Sequence, residues 1–258
     1  MIELSRRGSG RPLLLIHGLG GSRRSWDTIA GPLADKRELI LFDLPGHGGA
    51  APAPDSGTFE GLMRSVAGMI EANGLRGVDV VGSSMGARMV LELARRGLAG
   101  NTVALDPGGF WRGWERNFFR TTLAASIRLL RGLGPTLPAL AKNPASRTAL
   151  LAQLSPKPWK LDGAVVGREL QSFVATPTFD ALVRDLATGP MQRGPAAPDT
   201  GKVVIVWGRQ DRLCLPRQAK RATAEFPSAE LAWFDRCGHF PMWDRPRETV
   251  ELILAATR

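Results

Sequence analysis

Residues 82–86 read Gly-Ser-Ser-Met-Gly, directly after the apolar run from Val78 to Val81 and directly before the helix-like stretch from Ala87 to Ala94. Gly-x-Ser-x-Gly between strand and helix describes a sharp turn that lifts the middle hydroxyl clear of the sheet edge. The chemistry on offer is nucleophilic attack by Ser84. A serine hydroxyl is almost un-ionised at neutral pH, so it needs a base within hydrogen-bond reach. The chain has three histidines, His17, His47 and His239. The chain order nucleophile, acid, histidine selects His239, in Cys237-Gly238-His239-Phe240-Pro241. His17 and His47 are left with hydrogen-bonded structural roles. The acid should follow Ser84 at a strand end. Asp211, four residues past Trp207, fits; Asp106, which also ends a strand, is the competitor. Either would hold the histidine tautomer and stabilise its cation without taking the proton. The developing oxyanion needs two backbone donors. The amide of Met85 comes with the turn, and the amide of Leu19, in His17-Gly18-Leu19-Gly20, is the candidate for the second.

Alternating elements must bring these residues together. Short apolar runs at Leu13 to Ile16, Leu39 to Phe42, Val78 to Val81 and Thr102 to Leu105 have the character of parallel strands buried on both faces. A first strand is expected ahead of them, near the N-terminus. Phe59, Leu62, Met63, Val66, Met69 and Ile70 form one helix stripe among the runs. Strand and helix in alternation predict a doubly wound α/β sheet, with the site beyond the carboxyl ends of the strands. The alternation stops after Asp106-Pro107-Gly108-Gly109 and resumes at Val203 to Trp207, with a helix near Arg217 to Phe226, a strand at Leu231 to Phe234 and a helix at Glu248 to Ala256. Between lie Trp111, Trp114, Phe118, Phe119, Phe173 and Phe179, and prolines expected to cut the stretch into short helices. Residues 1–109 and 199–258 therefore read as one core, and 110–198 as a helical lid over the strand ends.

Composition narrows the classes. With 43% hydrophobic and 22% charged residues, the 258-residue chain reads as a globular protein. Ser5-Arg6-Arg7 ahead of Leu13 to Ile16 faintly suggests an export signal, but no cleavage site follows the short apolar run, so the expectation is cytoplasmic. The net charge of +10 is spread over scattered arginines with no long basic run, which argues against nucleic acid; no run is long enough to cross a membrane. Cys214 and Cys237 make no metal-ligand spacing, so neither a metal nor an organic cofactor is expected.

The motifs at His17–Gly20, Asp43–Gly48, Gly82–Gly86, Gly208-x-x-Asp211 with Pro216, and Gly238–Pro241 occur in the order found in the α/β-hydrolase fold family. The chain resembles its small, lidded, esterase-like branch throughout, except in the lid. Ala87 departs from the pattern, standing where many members carry glycine. The resemblance implies a mostly parallel, doubly wound sheet with the lid inserted after the sixth strand. It also implies acyl transfer through Ser84, His239 and Asp211 without a cofactor, in a chain that is a monomer or homodimer. Small to medium carboxylic esters are the expected small-molecule substrates, in a pocket assigned to Phe119, Phe173 and Phe240. Alternatives with the same triad are carbon–carbon hydrolysis of ring-cleavage products, for which Arg112, Arg116, Arg120 and Arg168 could hold an anion, and lactone hydrolysis or perhydrolysis. A non-catalytic ligand-binding protein is the remaining reading.

Overall fold

A computed structural model describes residues 2–258. Seven strands form one sheet: β1 (Leu4–Arg7), β2 (Pro12–Ile16), β3 (Glu38–Phe42), β4 (Val78–Ser83), β5 (Ala99–Leu105), β6 (Val203–Gly208) and β7 (Glu230–Phe234). Their spatial order is β1-β3-β2-β4-β5-β6-β7. β1 runs antiparallel to β3, with Leu4 opposite Phe42, and every other pairing is parallel. The doubly wound expectation holds, because strands buried on both faces need helices on both.

The alternation of side chains along each strand decides the layers. Leu14, Ile16, Ile40, Phe42, Val80 and Ile205 face one core, shared with α2 (Phe59–Ala72) and α3 (Met85–Arg95). Leu13, Leu15, Leu39, Leu41, Val81 and Val206 face the other, shared with α1 (Asp27–Ala34) and α11 (Pro246–Ala256). Chain connectivity reverses direction between β2 and β4: β2 is followed by its neighbour on one side, and β4 lies on its other side. A crevice opens at such a switch point because the loops leaving adjacent strands diverge.

Five helices, α4 (Glu115–Leu133), α5 (Leu137–Lys142), α6 (Pro144–Leu151), α7 (Gly163–Ala175) and α8 (Phe179–Thr188), separate β5 from β6. Two expectations need correction here. The insertion follows the fifth strand, not the sixth, because a single antiparallel strand precedes β2. The segment is also less fragmented than its prolines suggest: α4 runs for 19 residues, since no proline occurs before Pro135, and Pro177 falls between α7 and α8. The last two named helices, α9 (Ala219–Glu225) and α10 (Pro241–Asp244), flank β7. No helix among the described residues is long and apolar enough to cross a membrane.

Candidate active site

Ser84 sits between β4 and α3 with φ 56° and ψ −113°, a conformation that side chains other than glycine rarely adopt. The surroundings over-determine it. The Ser84 amide donates to the Leu105 carbonyl on β5 (2.9 Å), and the Ser84 carbonyl accepts from the Arg88 amide (3.1 Å). Neither flanking glycine could carry a side chain. A Cβ on Gly82 would lie 2.1 Å from the Gly86 carbonyl oxygen, and one on Gly86 would lie 2.1 Å from that of Ile16. The motif thus encodes backbone packed on backbone, which holds the hydroxyl above the sheet.

His239 Nε2 lies 2.8 Å from Ser84 Oγ, and His239 Nδ1 lies 2.8 Å from Asp211 Oδ2. The three side chains therefore form one hydrogen-bonded chain. The other Asp211 oxygen accepts the amides of Leu213 (2.7 Å) and Cys214 (3.0 Å), so the carboxylate is fixed at both ends. The histidine is anchored by the insertion: its amide donates to the Leu154 carbonyl (2.8 Å), in the turn after α6. The Gly238 amide donates to Asp244 (2.7 Å), which also accepts the Ser155 hydroxyl (2.5 Å).

Asp106 is fully buried with φ 48° and belongs to the same neighbourhood without touching His239. Its Oδ1 accepts the Gly208 amide (2.8 Å), and its Oδ2 has no partner among the described residues. Burial, followed by the charge of Asp211, pushes its carboxyl well above the usual range. The geometry thus separates the two candidate acids. Asp211 contacts the histidine, and Asp106 supports the start of the Asp211 loop.

The loop after β2 closes the site. A Cβ on Gly18 would stand 3.1 Å from Ser84 Cβ, so this backbone passes directly over Ser84. Leu19, next in the chain, and Met85, at the start of α3, line the same cavity as Ser84 and His239. His17 and His47 hold this region from beneath. His17 Nε2 accepts the Leu44 amide (3.0 Å), which leaves Nδ1–H to donate to the Gly18 carbonyl (2.8 Å). Burial lowers its pKa to about 4, against the opposing effects of that carbonyl and Asp43. Burial likewise takes His47, whose ring lies 5.3 Å from that of His17, down to about 3. Both are neutral struts.

The cavity at Ser84 has a volume of about 280 Å³. Phe119, Phe173 and Phe240, the residues assigned to the pocket from sequence, all line it. Trp111, Ile127, Phe179, Leu154 and Leu213 line it too and were missed. Arg88 is the other omission. It is 4% exposed, one turn beyond Ser84 on α3, and donates to the Pro190 carbonyl (2.6 Å). Burial lowers its pKa to about 10, so it remains a cation at neutral pH. Its helical position was legible, but its partners come from the far end of the insertion. Arg112, Arg116, Arg120 and Arg168 are not among the lining residues; Arg116 donates to the Gly189 carbonyl (3.2 Å) and Arg168 pairs with Asp27 (3.6 Å). Among the described residues, the one cluster with metal-ligating donors is Asp211, Cys214 and His239, whose donor atoms lie within 4.8 Å of one another.

Residues 13–252 match the family model described as the alpha/beta hydrolase family. The dihydrolipoyllysine-residue acetyltransferase component of the acetoin cleaving system of Cupriavidus necator is 30% identical over 98% of this chain. The chain spans only 65% of that relative's length. The 2-hydroxy-6-oxononadienedioate/2-hydroxy-6-oxononatrienedioate hydrolase 1 of Dechloromonas aromatica is 29% identical, with 96% of this chain and 87% of the relative covered. A thermophilic esterase from Thermogutta terrifontis superposes with a TM-score of 0.76 at 20% identity, covering 98% of this chain and 92% of its own, a likeness of fold. The matched span takes in strands β3 to β7, nearly all of β2 and all three members of the Ser84–His239–Asp211 chain, and the protein belongs to the alpha/beta hydrolase family.

Proposed function

We propose that this hydrolase cleaves carboxylic esters of small to medium acyl groups through an acyl-enzyme on Ser84. The observation that carries the reading is the Ser84–His239–Asp211 hydrogen-bonded chain opening into a cavity lined mainly by apolar side chains. His239 Nε2 takes the proton from Ser84 as Oγ attacks the ester carbonyl. The amides of Met85 and Leu19 receive the negative charge on the carbonyl oxygen, and each such donor is worth about 3 kcal/mol of barrier. His239 returns the proton to the leaving alcohol, then activates the water that releases the acid. Asp211 stabilises the imidazolium throughout and keeps the neutral ring in the tautomer whose Nε2 can accept.

The test is a panel of p-nitrophenyl esters of increasing acyl length. The expected outcome is a burst of p-nitrophenol followed by steady turnover on the shorter esters. Ser84→Ala should remove activity by on the order of 10⁶-fold with the fold intact. Ser83→Ala should keep most of it, because Ser83 Oγ is buried against Met242 Sδ at 3.9 Å. Dependence on Ser83 in place of Ser84 would sink the assignment.

Carbon–carbon bond hydrolysis of an anionic ring-cleavage product is the second reading. It is favoured by one observation, the buried guanidinium of Arg88 at the cavity wall. Comparing kcat/KM on a dienoate with that on a neutral ester separates the two. A reduced, cytoplasmic setting belongs to the same proposal and fits two buried, unpaired cysteines.

A further inference from the structure

Cys214 is a buried thiol that the hydrolytic reading does not use. It lies three residues after Asp211 and donates its amide to that carboxylate, which places it against the triad and on the cavity wall. A thiol, an imidazole nitrogen and a carboxylate oxygen within 4.8 Å of one another are the donor types that tetrahedral zinc takes. We propose that Asp211, Cys214 and His239 form an inhibitory site for a thiophilic divalent cation, zinc being the ordinary one, which switches the hydrolase off when occupied. The proposal rests on His239 serving as the base.

A second observation points the same way. Asp106 Oδ2 is fully buried and unpartnered, next to Asp211. It is not one of the clustered donors, so it can brace the Asp211 carboxylate without itself supplying a ligand. The charges also balance. Binding M²⁺ releases one proton, from the Cys214 thiol, and moves the His239 proton from Nδ1 to Nε2, leaving a thiolate, a neutral imidazole and the Asp211 carboxylate around the ion. The occupied site is neutral overall, which suits burial better than the single negative charge there without the ion. Zinc holds its donors at about 2.0–2.3 Å, so side-chain rotation must bring the thiol inward and open the 2.8 Å Nδ1–Oδ2 contact to admit the ion. No redox partner is involved.

The inhibition follows from the tautomer. A cation on Nδ1 forces the remaining proton onto Nε2, so the ring can donate to Ser84 Oγ and can no longer accept from it. The serine is then present, positioned and inert.

Cobalt(II) is a spectroscopic stand-in for zinc. The full chain, metal-free, is titrated with Co²⁺ and with Zn²⁺ while fluorophosphonate labelling of Ser84 is timed, each protein being compared with its own metal-free rate. Wild type should show thiolate-to-cobalt charge-transfer absorption and labelling slowed at least tenfold, reversed by chelator. Cys214→Ser should lose the absorption and weaken zinc inhibition about 10–100-fold, whereas Cys237→Ser should retain both. Absorption that survives Cys214→Ser, or zinc that binds without slowing the label, overturns the site. If metal-free wild type resists the label, the hydrolytic reading fails separately, and the cobalt spectrum still decides the metal site.

Discussion

At the scale of single residues, the sequence could be read well because chemistry restricts residue types. Only three imidazoles were available, and only one follows a strand-end aspartate in the required order. Distinguishing the acids needed coordinates, since Asp106 and Asp211 both end strands and both are buried. Their hydrogen-bond partners decide the matter. Asp106 accepts the Gly208 amide while burial and the neighbouring Asp211 charge raise its carboxyl, whereas Asp211 accepts three donors, His239 among them. Asp211→Asn should therefore lower kcat by up to about 10⁴-fold, since an amide favours the wrong histidine tautomer. Asp106→Asn keeps the side chain's shape and an oxygen that can still accept from Gly208, and kcat should change by less than about tenfold. Steady-state kinetics on one ester checks both, and a reversed ranking would transfer the role to Asp106. Arg88 escaped the sequence reading for a different reason: a helix position one turn from Ser84 says nothing of a partner carbonyl at Pro190.

At the scale of elements, strands were legible to within a few residues because runs buried on both faces are almost purely apolar. The insertion was less so. Its aromatics were visible, but which of them turn inward depends on how α4, α7 and α8 pack on the sheet. Phe119 and Phe173 line the cavity, whereas Trp114 is 57% exposed. Truncating Phe119 or Phe173 to alanine should reorder the p-nitrophenyl panel by about 1–3 kcal/mol per methylene of mismatch. The rate on acetate should move less, and a ranking unchanged by either variant would count against the cavity as the acyl site. One contact between insertion and core carries a pH signature. Ser25, in the 3₁₀ turn before α1, donates to Glu169 on α7 at 2.5 Å. Burial, opposed by this bond and then reinforced by Asp27, raises the Glu169 carboxyl to about 7. The native state thus binds a proton that the unfolded chain releases near its ordinary value of 4.5. Stability from this group is complete below that value and declines as pH rises towards 7. Glu169→Gln, neutral throughout, should flatten the dependence of Tm on pH in that window. An unchanged slope would show that the proton is held elsewhere.

At the scale of the whole molecule, the sheet is closed at the end away from the site by a charge network that no motif announced. Arg37 donates to Asp79 on β4 at 2.7 Å, and also to the carbonyls of Arg11, Pro12 and Thr257. One side chain therefore ties both ends of the chain to a central strand. The Asp79 side chain has no exposed surface. Asp79→Ala leaves the guanidinium buried without its counter-charge and should cost about 3–5 kcal/mol, measured by denaturant unfolding; kcat per folded molecule should stay near wild type because the network lies at the opposite strand ends. The bond from the His239 amide to Leu154 bears on how such molecules diversify. The insertion supplies walls for the cavity and also a foothold for the His239 backbone, so recombination cannot exchange it as a cassette. A transplanted helical segment must bring its own carbonyl to the place of Leu154 and its own hydroxyl to that of Ser155. Lineages that trade specificity by swapping this segment whole should pass through inactive ancestors, while those that change its inward-facing side chains one at a time need not.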